Sequence, residues 1–232
     1  MLHIVQERDT DRLLRSAAGY LCDTIRAMQA ERDKVIVGVP GGRSVATIFE
    51  AMRQEDVDWQ GVHFFMIDER LVPLDHPESN YALLREHFID PLTREGRITP
   101  DCAHPFLFDP AAEDRGARRY EEVLAEHGSR YDIILLSSGE DGHVGALYPN
   151  HPSVFDRRCG FIVMDDSPKP PPERMSSSLS LMQTAAVAVV LFVGEAKREA
   201  WVKFHDAACP VSACPAKLVL ALDKAAVFTD LS

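Results

Sequence analysis

Three short segments of this 232-residue chain combine residue types that do acid–base or anion chemistry. Ser137-Ser138-Gly139-Glu140-Asp141-Gly142-His143 sets a histidine two residues after an aspartate, among glycines that permit a crowded turn. Imidazole titrates near neutrality and suits general-base work, and a nearby carboxylate can fix its tautomer, although residues two apart need not touch. Pro40-Gly41-Gly42-Arg43-Ser44 offers two glycines, a hydroxyl and free N–H groups before a helical pattern. That arrangement suits a phosphate, and equally a plain tight turn. It is neither a Walker loop nor a dinucleotide fingerprint. Asp68-Glu69-Arg70 follows an apolar run, where an arginine fork can bind phosphate and its acidic neighbours can orient it. Lys169, Arg174 and Lys197 are further cations, ordinary as surface charges and an anion pocket if they converge.

The elements that must position these residues follow from periodicity. Residues 10–30 place Leu13, Leu14, Ala17, Ala18, Leu21, Ile25 and Met28 at helical spacing, with Asp9 or Thr10 as the cap. Residues 35–39, 62–67, 131–136 and 186–193 are nearly uninterrupted apolar runs and read as buried strands. Helices are expected from Ser44, after a Ser79 cap, over 113–127, over 195–207 and over 223–231. All-apolar strands alternating with helices require a parallel sheet covered on both faces, and ligands bind beyond the carboxyl ends of such strands. All three segments follow apolar runs, on that side. With no repeat and no composition shift at the proline tract of 167–172, residues 1–232 are expected to form a single α/β domain.

Composition narrows the function. There are 25 Lys and Arg against 36 Asp and Glu, a formal net charge of −11, which argues against a nucleic-acid binder. A small anionic substrate stays compatible, because local cations can outweigh the global field. Five cysteines at loose spacing imply neither a disulfide framework nor a zinc site, and reduced thiols in the cytoplasm are expected. The N-terminus lacks the pattern of a signal peptide, and the longest apolar run, 185–193, is too short to span a bilayer. No metal or cofactor is expected. Of the nine histidines only His143 lies in a glycine-flanked loop after a strand; the other eight read as background.

In order along the chain, these segments resemble the 6-phosphogluconolactonase family, which shares its fold with glucosamine-6-phosphate deaminases. Gly41-Gly42-Arg43-Ser44 looks like the family's glycine loop, and Asp68-Glu69-Arg70 with Val72 and Ser79-Asn80-Tyr81 like its D-E-R-x-V…S-N pattern. Gly139 to His143, running on to Leu147-Tyr148-Pro149, is similar to the G-x-D-G-H-x-A-S-L-F-P signature. Ser167 to Arg174 matches S-P-K-P-P-x-x-R, Gly194 to Lys197 matches G-x-x-K, and Pro215-Ala216 resembles the terminal P-A-S stretch. Departures are Ser137 for a glycine, Gly145-Ala146 for Ala-Ser, and Cys214-Pro215-Ala216-Lys217 for Leu-Pro-Ala-Ser.

The resemblance implies a three-layer α/β/α fold of Rossmann type with a mostly parallel central sheet. It implies hydrolysis of 6-phosphoglucono-δ-lactone by a monomer or small homo-oligomer. His143 would activate water and Asp141 would orient it. Arg70, Lys169 and Lys197 would hold the phosphate, Gly41, Gly42, Arg43 and Ser44 would line the same pocket, and Asp68 and Arg174 would be further contacts. Two alternatives accompany this reading. A glucosamine-6-phosphate deaminase would carry Glu five residues after the histidine, where this chain has Tyr148. A non-catalytic sugar-phosphate sensor would keep the pocket without the chemistry. An acyl-enzyme through Ser137 or Ser138 lacks a G-x-S-x-G elbow.

Overall fold

Strands that carry no polar residue to turn toward solvent must be covered on both faces, and the chain meets that demand with one large parallel sheet. The computed structural model describes residues 1–232. The strands are β1 (Leu2–Gln6), β2 (Val35–Val39), β3 (Val62–Met66), β4 (Asp68–Arg70), β5 (Ala103–His104), β6 (Ile133–Ser137), β7 (Phe161–Met164), β8 (Arg174–Ser177), β9 (Val187–Phe192) and β10 (Lys224–Thr229). The helices are α1 (Thr10–Gln29), α2 (Arg43–Met52), α3 (Asn80–Leu84), α4 (Asp90–Arg94), α5 (Ala117–Ala125), α6 (Pro152–Phe155), α7 (Leu179–Met182) and α8 (Arg198–His205). Seven strands pair in the order β1-β10-β9-β6-β2-β3-β5, all parallel. Helices on both faces complete three α/β/α layers, and 67 buried apolar residues form one contiguous core. No helix is long and apolar enough to cross a membrane.

Local signals set several boundaries. The Asp9 carboxylate accepts from the Arg12 N–H at 3.0 Å and starts α1, which turns Leu14, Ala18, Leu21 and Ile25 inward. The Ser79 hydroxyl accepts from the Ala82 N–H at 3.1 Å and starts α3. The expected helix over 113–127 is shortened to α5, because the chain reaches it through Gly116 at φ 100°. The expected helix over 195–207 begins as a 3-10 turn, Glu195–Lys197, before α8.

The helix expected over 223–231 is instead β10. Ala225 to Thr229 are all buried, paired to β1 on one side and β9 on the other. Alanine favours helices, but a short, wholly apolar run has no period, and pairing on both flanks overrides propensity. Strands β1, β7 and β8 also lacked a sequence expectation.

The main sheet hands the chain to a smaller one at Ile67, whose N–H donates to the Val39 carbonyl at 2.9 Å and whose carbonyl accepts from the Ser177 N–H at 2.6 Å. Beyond it β4 pairs antiparallel with β8, and β8 with β7. Where β3 and β5 separate, the buried Tyr120 hydroxyl accepts from the Met66 N–H (2.7 Å) and donates to the His104 carbonyl (2.8 Å). Tyr120→Phe leaves a buried N–H and carbonyl unpaired; the expected loss is about 1–3 kcal/mol in urea unfolding, and an unchanged midpoint contradicts this bridging role.

Candidate active site

The loops after β2 and β6 meet where the sheet order runs β6-β2-β3, the crevice that open α/β sheets use for ligands. With residues from the β4–β8 ladder they enclose a cavity of about 380 Å³, of whose 17 lining residues one is hydrophobic. A cavity that size with so polar a wall fits a small, highly hydroxylated or charged ligand.

The β6 loop owes its shape to glycine at two points. A Cβ on Gly139 would lie 2.0 Å from the His143 ring, and Gly142 adopts φ 94° with its carbonyl bonded to the Ala216 N–H at 2.9 Å. The result sets His143 Nδ1 2.6 Å from Asp141 Oδ1, which also accepts the His143 backbone N–H at 3.1 Å. Burial pushes the Asp141 carboxyl up, but the hydrogen bond and charge of His143 carry it well below the ordinary carboxylate range. An ionised carboxylate only accepts, so Nδ1 holds the proton and Nε2 is the basic nitrogen. His143 lines the cavity; Asp141 does not, and is joined to it by way of His143. Tyr148 packs against the imidazole with ring centroids 4.9 Å apart, its hydroxyl accepting from Ser167 at 2.8 Å.

Arg70 and Arg174 also line the cavity, directly opposite each other in the β4–β8 register. Arg174 is 4% exposed and donates to the carbonyls of Pro171 and Pro170, both at 2.8 Å. Burial, and then the neighbouring Arg70, lower its pKa. The Arg70 guanidinium donates to the Glu78 carbonyl, while its Nε is buried without a partner. Buried Asp68 lies beside this pair; burial raises its pKa, against the pull of Arg70, Arg174, His143 and Asn80. Lys169 and Lys197 also line the cavity. Burial lowers the Lys197 pKa, with Glu140 and Asp141 pulling the other way.

Glu69 is buried, 2% exposed. Its Oε1 accepts the N–H groups of Arg70 and Asn80 at 2.8 Å each, and its Oε2 accepts the Tyr81 N–H at 2.8 Å and the Ser79 hydroxyl at 3.2 Å. Burial pushes its carboxyl up to about 7, against the three backbone donors. Asn80 in turn donates to the Asp68 carbonyl and carboxylate, and its side chain occupies the space that a Cβ on Gly41 would need.

Of the residues singled out from sequence, Gly41, Gly42, Asp68, Arg70, His143, Lys169, Arg174 and Lys197 line one cavity. Arg43 is exposed and Ser44 partly so; both belong to the first turn of α2 and neither lines it. Asn80, Glu140 and Tyr148 line it without having been assigned a role from sequence, though all three fall in the quoted motifs. The N–H groups of Ser138 and Gly139 are taken up by the carbonyls of Leu191 (2.9 Å) and His143 (2.8 Å). The background histidines also change standing: His63, His104 and His127 come together at the β3–β5 edge. Burial pushes His63 down to about 4 and His104 to about 3. One signal was available in sequence, a lone histidine inside the apolar run 62–67.

Comparison with known proteins bears on the family and the fold. The family model described as glucosamine-6-phosphate isomerases/6-phosphogluconolactonase matches residues 8–228. The 6-phosphogluconolactonase of Borreliella burgdorferi is 29% identical over 205 residues, 88% of this chain and 87% of that protein. That of Mycobacterium tuberculosis is 31% identical over 216 residues, 88% of this chain and 86% of that one. The crystal structure of 6-phosphogluconolactonase from Thermotoga maritima superposes with a TM-score of 0.81, at 21% identity, over 99% of this chain and 98% of that chain, a likeness of fold.

The Glu69 arrangement is directly testable. Glu69→Gln turns an amide NH2 toward groups that are themselves donors. Its expected cost is about 2–4 kcal/mol by chemical denaturation, and a loss within error of zero would show that the carboxylate is not what organises this part of the cavity.

Proposed function

Since the chain belongs to the glucosamine-6-phosphate isomerase/6-phosphogluconolactonase family, we propose that it hydrolyses 6-phospho-D-glucono-1,5-lactone to 6-phospho-D-gluconate. The observation that carries the reading is one cavity lined by a basic imidazole and two facing arginines. Like charges opposite each other on a ladder repel, and a bound dianion attracts both and offsets that repulsion.

In this reading His143 Nε2 takes a proton from water as the water oxygen attacks the lactone carbonyl carbon. Asp141 holds Nδ1–H and stabilises the imidazolium that forms. The tetrahedral oxyanion collapses by breaking the bond to the ring oxygen, which takes the proton back from Nε2. The product carboxylic acid then ionises to solvent. Arg70, Lys169 and Lys197 hold the phosphate, with Arg174 and the α2 N-terminus at Gly42 as further favourable charge; anchoring that distant group positions the carbonyl. Tyr148, a phenol beside His143 where a deaminase would have a carboxylate, favours lactone hydrolysis over the deaminase reading.

The test is loss of freshly prepared 6-phosphogluconolactone at mildly acidic pH, where spontaneous opening is slow, with unphosphorylated gluconolactone as control. Rapid loss of the phosphorylated lactone alone is expected; a rate equal to background sinks the assignment. His143→Asn is expected to lower kcat by about 10²–10⁴-fold while phosphosugar binding survives. Lys197→Ala is expected to raise KM roughly ten- to a hundredfold with a smaller effect on kcat, the signature of a lost charged contact to a remote group. A His143→Asn enzyme with full turnover removes the histidine from the mechanism.

A further inference from the structure

His63, His104 and His127 belong to no part of the proposed chemistry, yet they come from three separate segments: β3, the end of β5 and the turn after α5. His63 precedes Asp68 by five residues, roughly 16 Å along an extended chain, so the cluster lies toward the other end of β3 from the cavity. One ring nitrogen from each residue lies within 4.8 Å of the other two, and His63 Nδ1 is 3.0 Å from His104 Nε2. A tetrahedral zinc ion with bonds of about 2.0–2.1 Å holds its nitrogens roughly 3.3 Å apart, so small ring rotations bring all three to ligand distance.

Two further observations point to a ligand. His127 Nδ1 is buried without a hydrogen-bond partner, a state that native imidazoles rarely keep. The rings are also held in place by their surroundings. Phe65 stacks on His104 with centroids 4.3 Å apart, and Tyr120 fixes the His104 carbonyl. His127 also lines a second cavity, about 560 Å³, beside Lys34 and Arg130, which leaves room for water or a small anion as a fourth ligand.

We infer that His63, His104 and His127 form a binding site for a divalent transition-metal ion. Three imidazoles with no carboxylate select the borderline metals, zinc, cobalt, nickel or copper, over magnesium or calcium. The ion would join β3, β5 and the α5–β6 connection at the edge where the parallel sheet ends.

The test is titration of the full-length, chelator-stripped protein with zinc chloride or cobalt chloride alone, against a chromophoric chelator. The expected result is a single equivalent bound and a cobalt spectrum of four-coordinate intensity. His127→Gln, outside regular secondary structure, is expected to weaken binding about tenfold or more, and His143→Asn to leave it unchanged. His63→Asn, inside a strand, counts only if its circular dichroism matches the parent. Absence of stoichiometric binding, binding indifferent to His127→Gln, or binding lost in His143→Asn would each overturn the inference, the last by moving the ion to the catalytic cavity.

Discussion

A buried carboxylate must be fully supplied with donors, and Glu69 meets that requirement in a way that organises the arginine-lined part of the cavity. Its four donors come from β4 and from the first residues of α3, so the strand end and the helix start are locked together. That lock turns Asn80 toward Asp68 and against Gly41, which is how the glycine loop after β2 finds its place. The same lock holds Arg70 opposite Arg174, an arrangement the ladder alone would resist. The site thus rests on the junction between the parallel sheet and the small antiparallel one, and not on either sheet alone.

Electrostatics divide along the same line. A chain of net charge −11 collects Arg70, Arg174, Lys169 and Lys197 around one crevice, with Asp68 and Glu140 as the carboxylates there. Their desolvation makes each charge matter more than at the surface, since the low-dielectric wall strengthens their attraction for an incoming anion. His143, by contrast, is governed locally: its partner Asp141 is two residues away and the turn between them is short enough for one carboxylate oxygen to bind both ring and backbone.

Much of this was legible in the chain because it is local. The apolar runs of β2, β3, β6 and β9 announce themselves, and the rule that ligands gather past strand ends directed attention to Gly41, Arg70 and His143. What was illegible depends on register between distant segments. Nothing near Arg70 says that Arg174 will face it, and nothing near His63 says that His104 and His127 will join it. Arg43 and Ser44 fall outside the cavity because α2 carries them away in its first turn, a matter of one helical rotation that spacing does not resolve. The strand β10 was misread because alanine's helix preference is weaker than pairing on two sides.

The position of β10 has a consequence for how the molecule assembles. It lies inside the sheet, between β9 and β1, and β1 pairs with nothing else. Its register joins Leu2 to Ala225, so β1 waits for almost the whole chain to be synthesised before it can form a ladder. Until then β9 presents a bare parallel edge with a wholly apolar strand, the kind of surface that invites association between nascent chains. The loops after β2 and β6 lie on the other side of β9, but Lys197 follows β9 itself and Gly142 is held by the Ala216 N–H, so the cavity is complete only once the last segments dock, and late insertion of β10 is the step most exposed to misassembly.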